Sequence, residues 1–255
     1  MLIDPGPSTG LPALLEALGD WRPRVIVLTH IHLDHAGATG TLVDRWPDVE
    51  VRVHERGARH LVDPSKLLAS AARLYGEDMA RLWGEVLPVP ADRVMALTGE
   101  ERWPGWRLAY TPGHASHHIS LLHEASGRAF CGDVAGVRIP PSGLVIAPTP
   151  PPDIDLEAWE RSLATIEQWR PESLALTHFG AVDAVGEQLA GVRRCLSEWG
   201  GLARELDMPA FVERVTAQIA AANEPGTAAV YGQAAPSDQL WLGLRRYWER
   251  RGSTE

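Results

Sequence analysis

Thr29-His30-Ile31-His32-Leu33-Asp34-His35 sets three imidazoles and one carboxylate close together, directly after the apolar run Val25-Ile26-Val27-Leu28. A β-branched run of this kind reads as a buried strand, so the polar cluster falls where a core strand gives way to a loop. His30 and His32 are two residues apart, and in extended backbone that spacing turns both rings to the same side. Asp34 and His35 follow once the chain turns, and they address a second point nearby. Neutral imidazole and carboxylate are the usual ligands of Zn²⁺ and related divalent ions. A single histidine at such a position would read as a solvated strand end. The grouped HxHxDH reads as a metal-binding segment.

One short segment cannot surround an ion, and three later segments supply further donors, each ending an apolar, strand-like run. Leu108-Ala109-Tyr110-Thr111-Pro112-Gly113-His114 ends in an imidazole aimed by a Pro-Gly turn. Arg128-Ala129-Phe130-Cys131-Gly132-Asp133 ends in a carboxylate, and Ser173-Leu174-Ala175-Leu176-Thr177-His178 in another imidazole. Taken singly each is an ordinary polar strand end. In one order along one chain they form a constellation. His54 closes a further strand-like run, Val49 to Val53, with His60 soon after, and both read as surface or pocket-rim residues. His123 reads as an exposed strand residue.

The series Leu2-Ile3-Asp4-Pro5-Gly6, THIHLDHAG (29–37), TPGHASHH (111–118), CGD (131–133) and THFG (177–180) resembles the five motifs of the metallo-β-lactamase superfamily. It runs over roughly residues 1 to 200 and is closest to the glyoxalase II-like and lactonase-like hydrolases. The resemblance implies an α+β fold, a four-layer αββα sandwich with a dinuclear site along one edge of its sheets. Carried over by motif, it implies that His30, His32 and His114 bind one ion, that Asp34, His35 and His178 bind a second, and that Asp133 bridges them. It also implies that Asp4 supports the HxH segment, where the plain alternative is an Asx-type turn bond. His118 takes the place of the second His in the family's GHxxGH pattern and reads as a residue behind the ligands or in the core. His117 replaces the usual Gly, and its role stays open. Relatives place strands ahead of the DPG strand, so the expected fold lacks its N-terminal strands.

Two divalent ions about 3.5–4 Å apart acidify a shared water and polarise a bound carbonyl or phosphoryl oxygen. The resemblance therefore implies a metal-dependent hydrolase using a metal-bridging hydroxide on a small ester, thioester or lactone. Asp34 would orient that nucleophile and pass a proton to the leaving group. The cofactors expected are two divalent ions, zinc first, with iron and manganese as alternatives. No GxSxG occurs, and Cys131 and Cys195 sit in no paired motif, which fits chemistry without a side-chain nucleophile.

Asp133 stands where one group of zinc β-lactamases has a Cys ligand, Gly136 where acyl-homoserine lactonases have a catalytic Tyr, and His32 where flavodiiron proteins have Glu. A mononuclear iron persulfide dioxygenase is the alternative from another class. A phosphodiesterase or nuclease of the same fold ranks lower, because the chain has no room for an RNA-clamping arm or β-CASP insert.

The formal net charge of −9 argues against a nucleic-acid partner, which leaves a basic footprint. A hydrophobic fraction of 45% is enough for a substantial core. Two cysteines make no disulfide framework, which suits a reducing cytoplasm. The opening MLIDPGPSTG has neither basic nor apolar leader character, and no run reaches transmembrane length. The expectation is a cytoplasmic protein acting on a small molecule, without membrane or nucleic-acid partners.

The domain expected over residues 1–200 is followed by a helical C-terminal extension over 201–255. Helical spacing predicts helices over 8–20, 35–46 and 64–83, then a meander of short strands over 86–131. The Pro-rich stretch 134–153 reads as a pocket wall or a crossover loop. An amphipathic helix over 155–170 has Asp153 or Asp155 as its cap, and another follows over 183–199. Beyond Gly200-Gly201 two helices, 202–222 and 236–251, flank the separator NEPGTAAVYGQAAPS. The roles open to this tail are covering the site mouth, packing outside, or a homodimer contact.

Overall fold

The computed structural model describes residues 1–252, and the chain divides into two compact units. The first holds Met1–Arg102, Leu108–Tyr110 and His117–Ile119. The second holds Trp103–Arg107, Thr111–Ser116 and the described chain from Ser120 onward.

In the first unit, β1 (Leu2–Ile3), β2 (Val25–Val27), β3 (Glu50–His54) and β4 (Val94–Leu97) form a sheet in that order, each parallel to its neighbour. Parallel neighbours need crossover connections. α1 (Leu11–Leu18) joins β1 to β2, α2 (Leu33–Ala36) and α3 (Thr39–Arg45) join β2 to β3, and α4 (Glu55–Val62), α5 (Ser65–Tyr75) and α6 (Met79–Trp83) lead to β4. Ile26, between Leu2 and Val51 in register, is fully buried in a core with Leu28, Leu42, Val53 and Leu61. Because the four strands run the same way, their C-terminal ends share an edge. Asp4, the HxHxDH segment, His54 and Thr98 all leave from it, and this is the edge at which open α/β sheets collect ligands.

The helix expected over 8–20 is a 3₁₀ turn, Ser8–Gly10, followed by α1. The 64–83 stretch breaks at Gly76, whose φ of 51° ends α5 in a conformation glycine tolerates. β4 departs from the expected meander, since it adds to the parallel sheet beside β3.

Strands β5 (Arg102–Trp103), β6 (Trp106–Tyr110), β7 (Ile119–His123), β8 (Arg128–Phe130), β11 (Ser173–Leu176) and β12 (Gly180–Val182) form the other large sheet, ordered β12-β11-β8-β7-β6-β5. Most of its residues belong to the second unit. β9 (Val137–Arg138) and β10 (Val145–Ile146) make a separate antiparallel ribbon. α7 (Leu156–Gln168) is capped by Asp155, whose side chain accepts from Ala158 N at 2.9 Å.

α8 (Val185–Glu205) runs straight through Gly200-Gly201, where a break was expected. A mid-helix glycine costs about 1 kcal/mol relative to alanine. The buried face of Leu189, Val192, Leu196, Trp199 and Ala203 outweighs it. α9 (Met208–Ala221) and α11 (Ser237–Gly252) follow, and the expected separator between them is itself a helix, α10 (Pro225–Ala234). Pro225 opens α10 at a position that needs no N–H. Tyr231 anchors it: the fully buried hydroxyl accepts from Ile139 N at 2.9 Å and donates to Leu144 O at 2.5 Å. Phe211, Val215, Tyr231, Leu240 and Leu244 of these last helices lie in one core with Ala129, Trp159, Leu174 and Val192. Among the described residues no helix is long and apolar enough to cross a membrane.

Candidate metal centre

The structure gathers Asp4, His30, His32, Asp34, His35 and His118 in the first unit, and His114, Asp133 and His178 in the second. In the first unit Asp4 is the organiser. Its Oδ1 accepts from Thr29 N at 2.8 Å and its Oδ2 from Thr29 Oγ1 at 2.7 Å. His35 Nδ1 lies 3.0 Å from the same Oδ2, so an ionised Asp4 accepts that proton too. The Thr29 hydroxyl has one proton and gives it to Asp4, so its oxygen acts as acceptor for His30 Nδ1, 3.1 Å away. Both imidazoles are thereby fixed with the proton on Nδ1 and the lone pair on Nε2. This is how outer hydrogen bonds prepare metal-ligating histidines.

His30 Nε2 faces His32 Nδ1 at 3.1 Å. Two nitrogens bound to one tetrahedral ion at about 2.0–2.1 Å stand roughly 3.3 Å apart, so this pair sits close to a ligand–ligand edge. His35 Nε2 and Asp34 Oδ2 are 3.4 Å apart, a second such edge. Behind them His118, fully buried, stacks on His30 with ring centroids 5.1 Å apart. His117 Nδ1 accepts from Ile31 N at 3.4 Å. His117 and His118 therefore brace the HxH segment from behind.

In the second unit His114 leaves the Pro112-Gly113 turn with Nδ1 held 2.8 Å from Pro148 O, which again turns Nε2 outward. Asp133 follows β8, and His178 lies in the tight turn between β11 and β12. One Asp133 oxygen is 3.4 Å from His114 Nε2 and the other is 3.5 Å from His178 Nε2. Those separations are long for charge-assisted hydrogen bonds and suit ligands of common ions. The donor set of imidazole and carboxylate suits zinc, iron or manganese, and the residues present fit divalent ions.

Several contacts had no signal in the sequence. Pro148 acts through a backbone carbonyl, and Thr29 through a hydroxyl between two predicted residues. His54, expected at the surface or at a pocket rim, is 3% exposed. It stacks on Tyr110 at 4.3 Å, and its burial pushes its pKa below the usual histidine range. Burial also pushes up both thiols, Cys195 to about 12 and Cys131 further. Thiolate is the reactive form, so neither cysteine serves as nucleophile. Both should stay unmodified by a disulfide reagent at pH 8 in the folded protein and react once denatured. Rapid labelling of the folded chain would count against their burial.

The sequence matches the family model described as the metallo-beta-lactamase superfamily over residues 1–178. Among curated proteins it is 34% identical over 164 residues to the metallo-beta-lactamase fold-containing protein ST1585 of Sulfurisphaera tokodaii, covering 62% of this chain and 60% of that protein. It is 27% identical over 133 residues to the hydroxyacylglutathione hydrolase of Buchnera aphidicola, covering 52% and 41% respectively. The chain thus spans about three fifths or less of these relatives' lengths.

Among solved structures, that of ST1585 from Sulfolobus tokodaii superposes with a TM-score of 0.71 at 28% identity, covering 97% of this chain and 87% of that one. TTHA1623 in a di-iron-bound form gives a TM-score of 0.55 at 27% identity, covering 74% and 86%. The family match extends over more than half of the chain and the mixed α/β architecture agrees with it: the chain belongs to the metallo-β-lactamase superfamily, a family made up mostly of metal-dependent hydrolases.

Proposed function

We propose that this chain is a dinuclear metal-dependent hydrolase of a small ester, thioester or lactone. In this reading, carried over from the family's motifs, His30, His32 and His114 would hold one divalent ion, and Asp34, His35, Asp133 and His178 the other, with Asp133 shared. The observation that carries it is the Asp133 carboxylate, whose two oxygens each face a different imidazole nitrogen, at 3.4 Å and 3.5 Å. In this reading a carboxylate placed that way would be the ligand the two ions share. When bound, two such ions supply an acidified water and a Lewis acid for the substrate's carbonyl oxygen.

The chain's own residues do the rest. Asp4 fixes the Nδ1 protons of His30, through Thr29, and of His35 directly. Asp34 has a side chain 30% exposed, so its carboxylate is the group that can take a proton at one oxygen and hand it to a departing alcohol or thiol. Relatives named hydroxyacylglutathione hydrolase favour an acylated small molecule as substrate. The di-iron form of TTHA1623 keeps iron beside zinc as the metal.

The test is a panel of esters, thioesters, lactones and phosphodiesters, offered to protein stripped of metal and reloaded with Zn²⁺, Mn²⁺ or Fe²⁺. Hydrolysis of a carboxylic ester, thioester or lactone that a chelator abolishes, with two ions bound per chain, is the expected result. One iron per chain with oxygen consumption and no hydrolysis would overturn it.

A further inference from the structure

We infer that Trp159 is the positioning residue that sets both ligand-bearing turns of the second unit, the one carrying His114 and the one carrying Asp133; the role rests on those two residues being ligands. Trp159 is fully buried on the inner face of α7, and three of its contacts converge on the two turns.

The first contact is with backbone. Gly113 has a φ of 139°, and a Cβ added there would overlap the N, Cα and Cβ of Trp159. Helix and turn therefore lie backbone against backbone. Asp155 N donates to Gly113 O at 2.9 Å and Ser162 Oγ to Pro112 O at 2.6 Å, which clamps the turn to the helix about one helical turn on either side of Trp159. The second contact is with the ligand ring itself. The indole stands edge-on to the His114 imidazole, with centroids 5.7 Å apart and planes at 82°. Pro148 O restrains the same imidazole through its Nδ1, so ring rotation is limited by both the carbonyl and the indole.

The third contact reaches the other turn. Trp159 Nε1 donates to Val134 O at 2.7 Å, within the core. Val134 follows Asp133 directly, and the turn is closed by Gly136 N donating to Asp133 O at 2.9 Å and by Gln188 Nε2 donating to Ala135 O at 2.8 Å. A single rigid side chain thus connects an imidazole and a carboxylate whose ligand atoms are 3.4 Å apart. A buried indole N–H takes an acceptor wherever it lies, and what sets Trp159 apart is that its acceptor belongs to the residue directly after Asp133. Trp199 makes the comparison: it lies in the same core, 4% exposed, and spends its Nε1 on Gln218 Oε1 at 2.8 Å.

Trp159→Phe keeps a ring against His114 but deletes the donor to Val134 O, and Trp199→Phe deletes an indole hydrogen bond that touches neither ligand turn. Co²⁺ is the probe, read by its visible ligand-field bands and by chelator competition, with no substrate present. Trp159→Phe should weaken Co²⁺ binding about tenfold, the lower end of what outer-residue changes cost, and shift the bands. Trp199→Phe should lower the melting temperature while leaving Co²⁺ affinity and spectrum as in the parent. Trp159→Phe binding Co²⁺ like the parent, or Trp199→Phe weakening it equally, would overturn the positioning role. Co²⁺ binding that Asp133→Ala leaves unchanged would overturn the ligand assignment, and the positioning role with it.

Discussion

Asp133→Ala should lower bound metal from two ions per chain to one or fewer and reduce kcat/KM by about three orders of magnitude. The size follows from what the residue touches. Its two oxygens face His114 Nε2 and His178 Nε2, so its loss removes a ligand from both proposed ions. Metal-ion stabilisation of a developing oxyanion contributes several kcal/mol, and about 1.4 kcal/mol corresponds to a factor of ten in rate. Elemental analysis of the purified variant reads the first outcome without any substrate, and steady-state kinetics read the second. Asp133→Asn keeps the volume and loses the charge, and it should fall between the parent and Asp133→Ala in metal content. Two ions per chain in Asp133→Ala would refute the bridging role.

Phe211→Ala should be among the most destabilising single changes outside the candidate metal centre. Phe211 is fully buried on α9, in the core that also holds Ala129 and Leu174 of the large sheet. Truncating a buried phenylalanine costs about 3–5 kcal/mol through lost transfer free energy and the cavity left behind. Against a total of about 5–15 kcal/mol, that is a large share. With roughly 2–4 °C per kcal/mol for chains of this size, the melting temperature should drop by about 6–20 °C. Because the helices beyond residue 200 share the core of the large sheet, circular dichroism and tryptophan fluorescence should report one shifted transition. A separate early transition, with the remaining structure melting as in the parent, would show the C-terminal helices to be an independent appendage.

Much of the candidate centre was legible because strand ends carry strong local signals. The run Val25–Leu28 is β-branched and apolar, and Ile26 is indeed fully buried in a parallel sheet. The polar residues directly after it therefore had to leave at a sheet edge. Asp155 as a helix cap was equally local, since the capping oxygen needs only the next turn's N–H. The failures were of another kind. Gly200-Gly201 and the stretch NEPGTAAVYGQAAPS read as breaks on propensity, yet the glycines lie within α8 and Pro225–Ala234 of the stretch form α10. Their helices are held by long-range burial, through Trp199, Ala203 and Tyr231, and packing of that kind overrides a propensity cost of about 1 kcal/mol per residue. β4 was placed in a meander because a short strand does not announce its partner, and pairing with β3 is a contact across some forty residues of sequence.

By itself the sequence determined the candidate donors and their order, His30, His32, Asp34, His35, His114, Asp133 and His178 with Asp4 as their support, each in a segment that follows an apolar run. It did so because residue chemistry and strand periodicity are local properties. Only the tertiary structure decided which nitrogen His30, His35 and His114 present. Thr29 and Asp4 take the Nδ1 protons of His30 and His35, and Pro148 O takes that of His114. It alone also decided that Trp159 touches both ligand turns of the second unit. The physical reason is shared: the groups that orient the ligands are mostly backbone carbonyls and core side chains distant in sequence, and those meet only when the chain has packed.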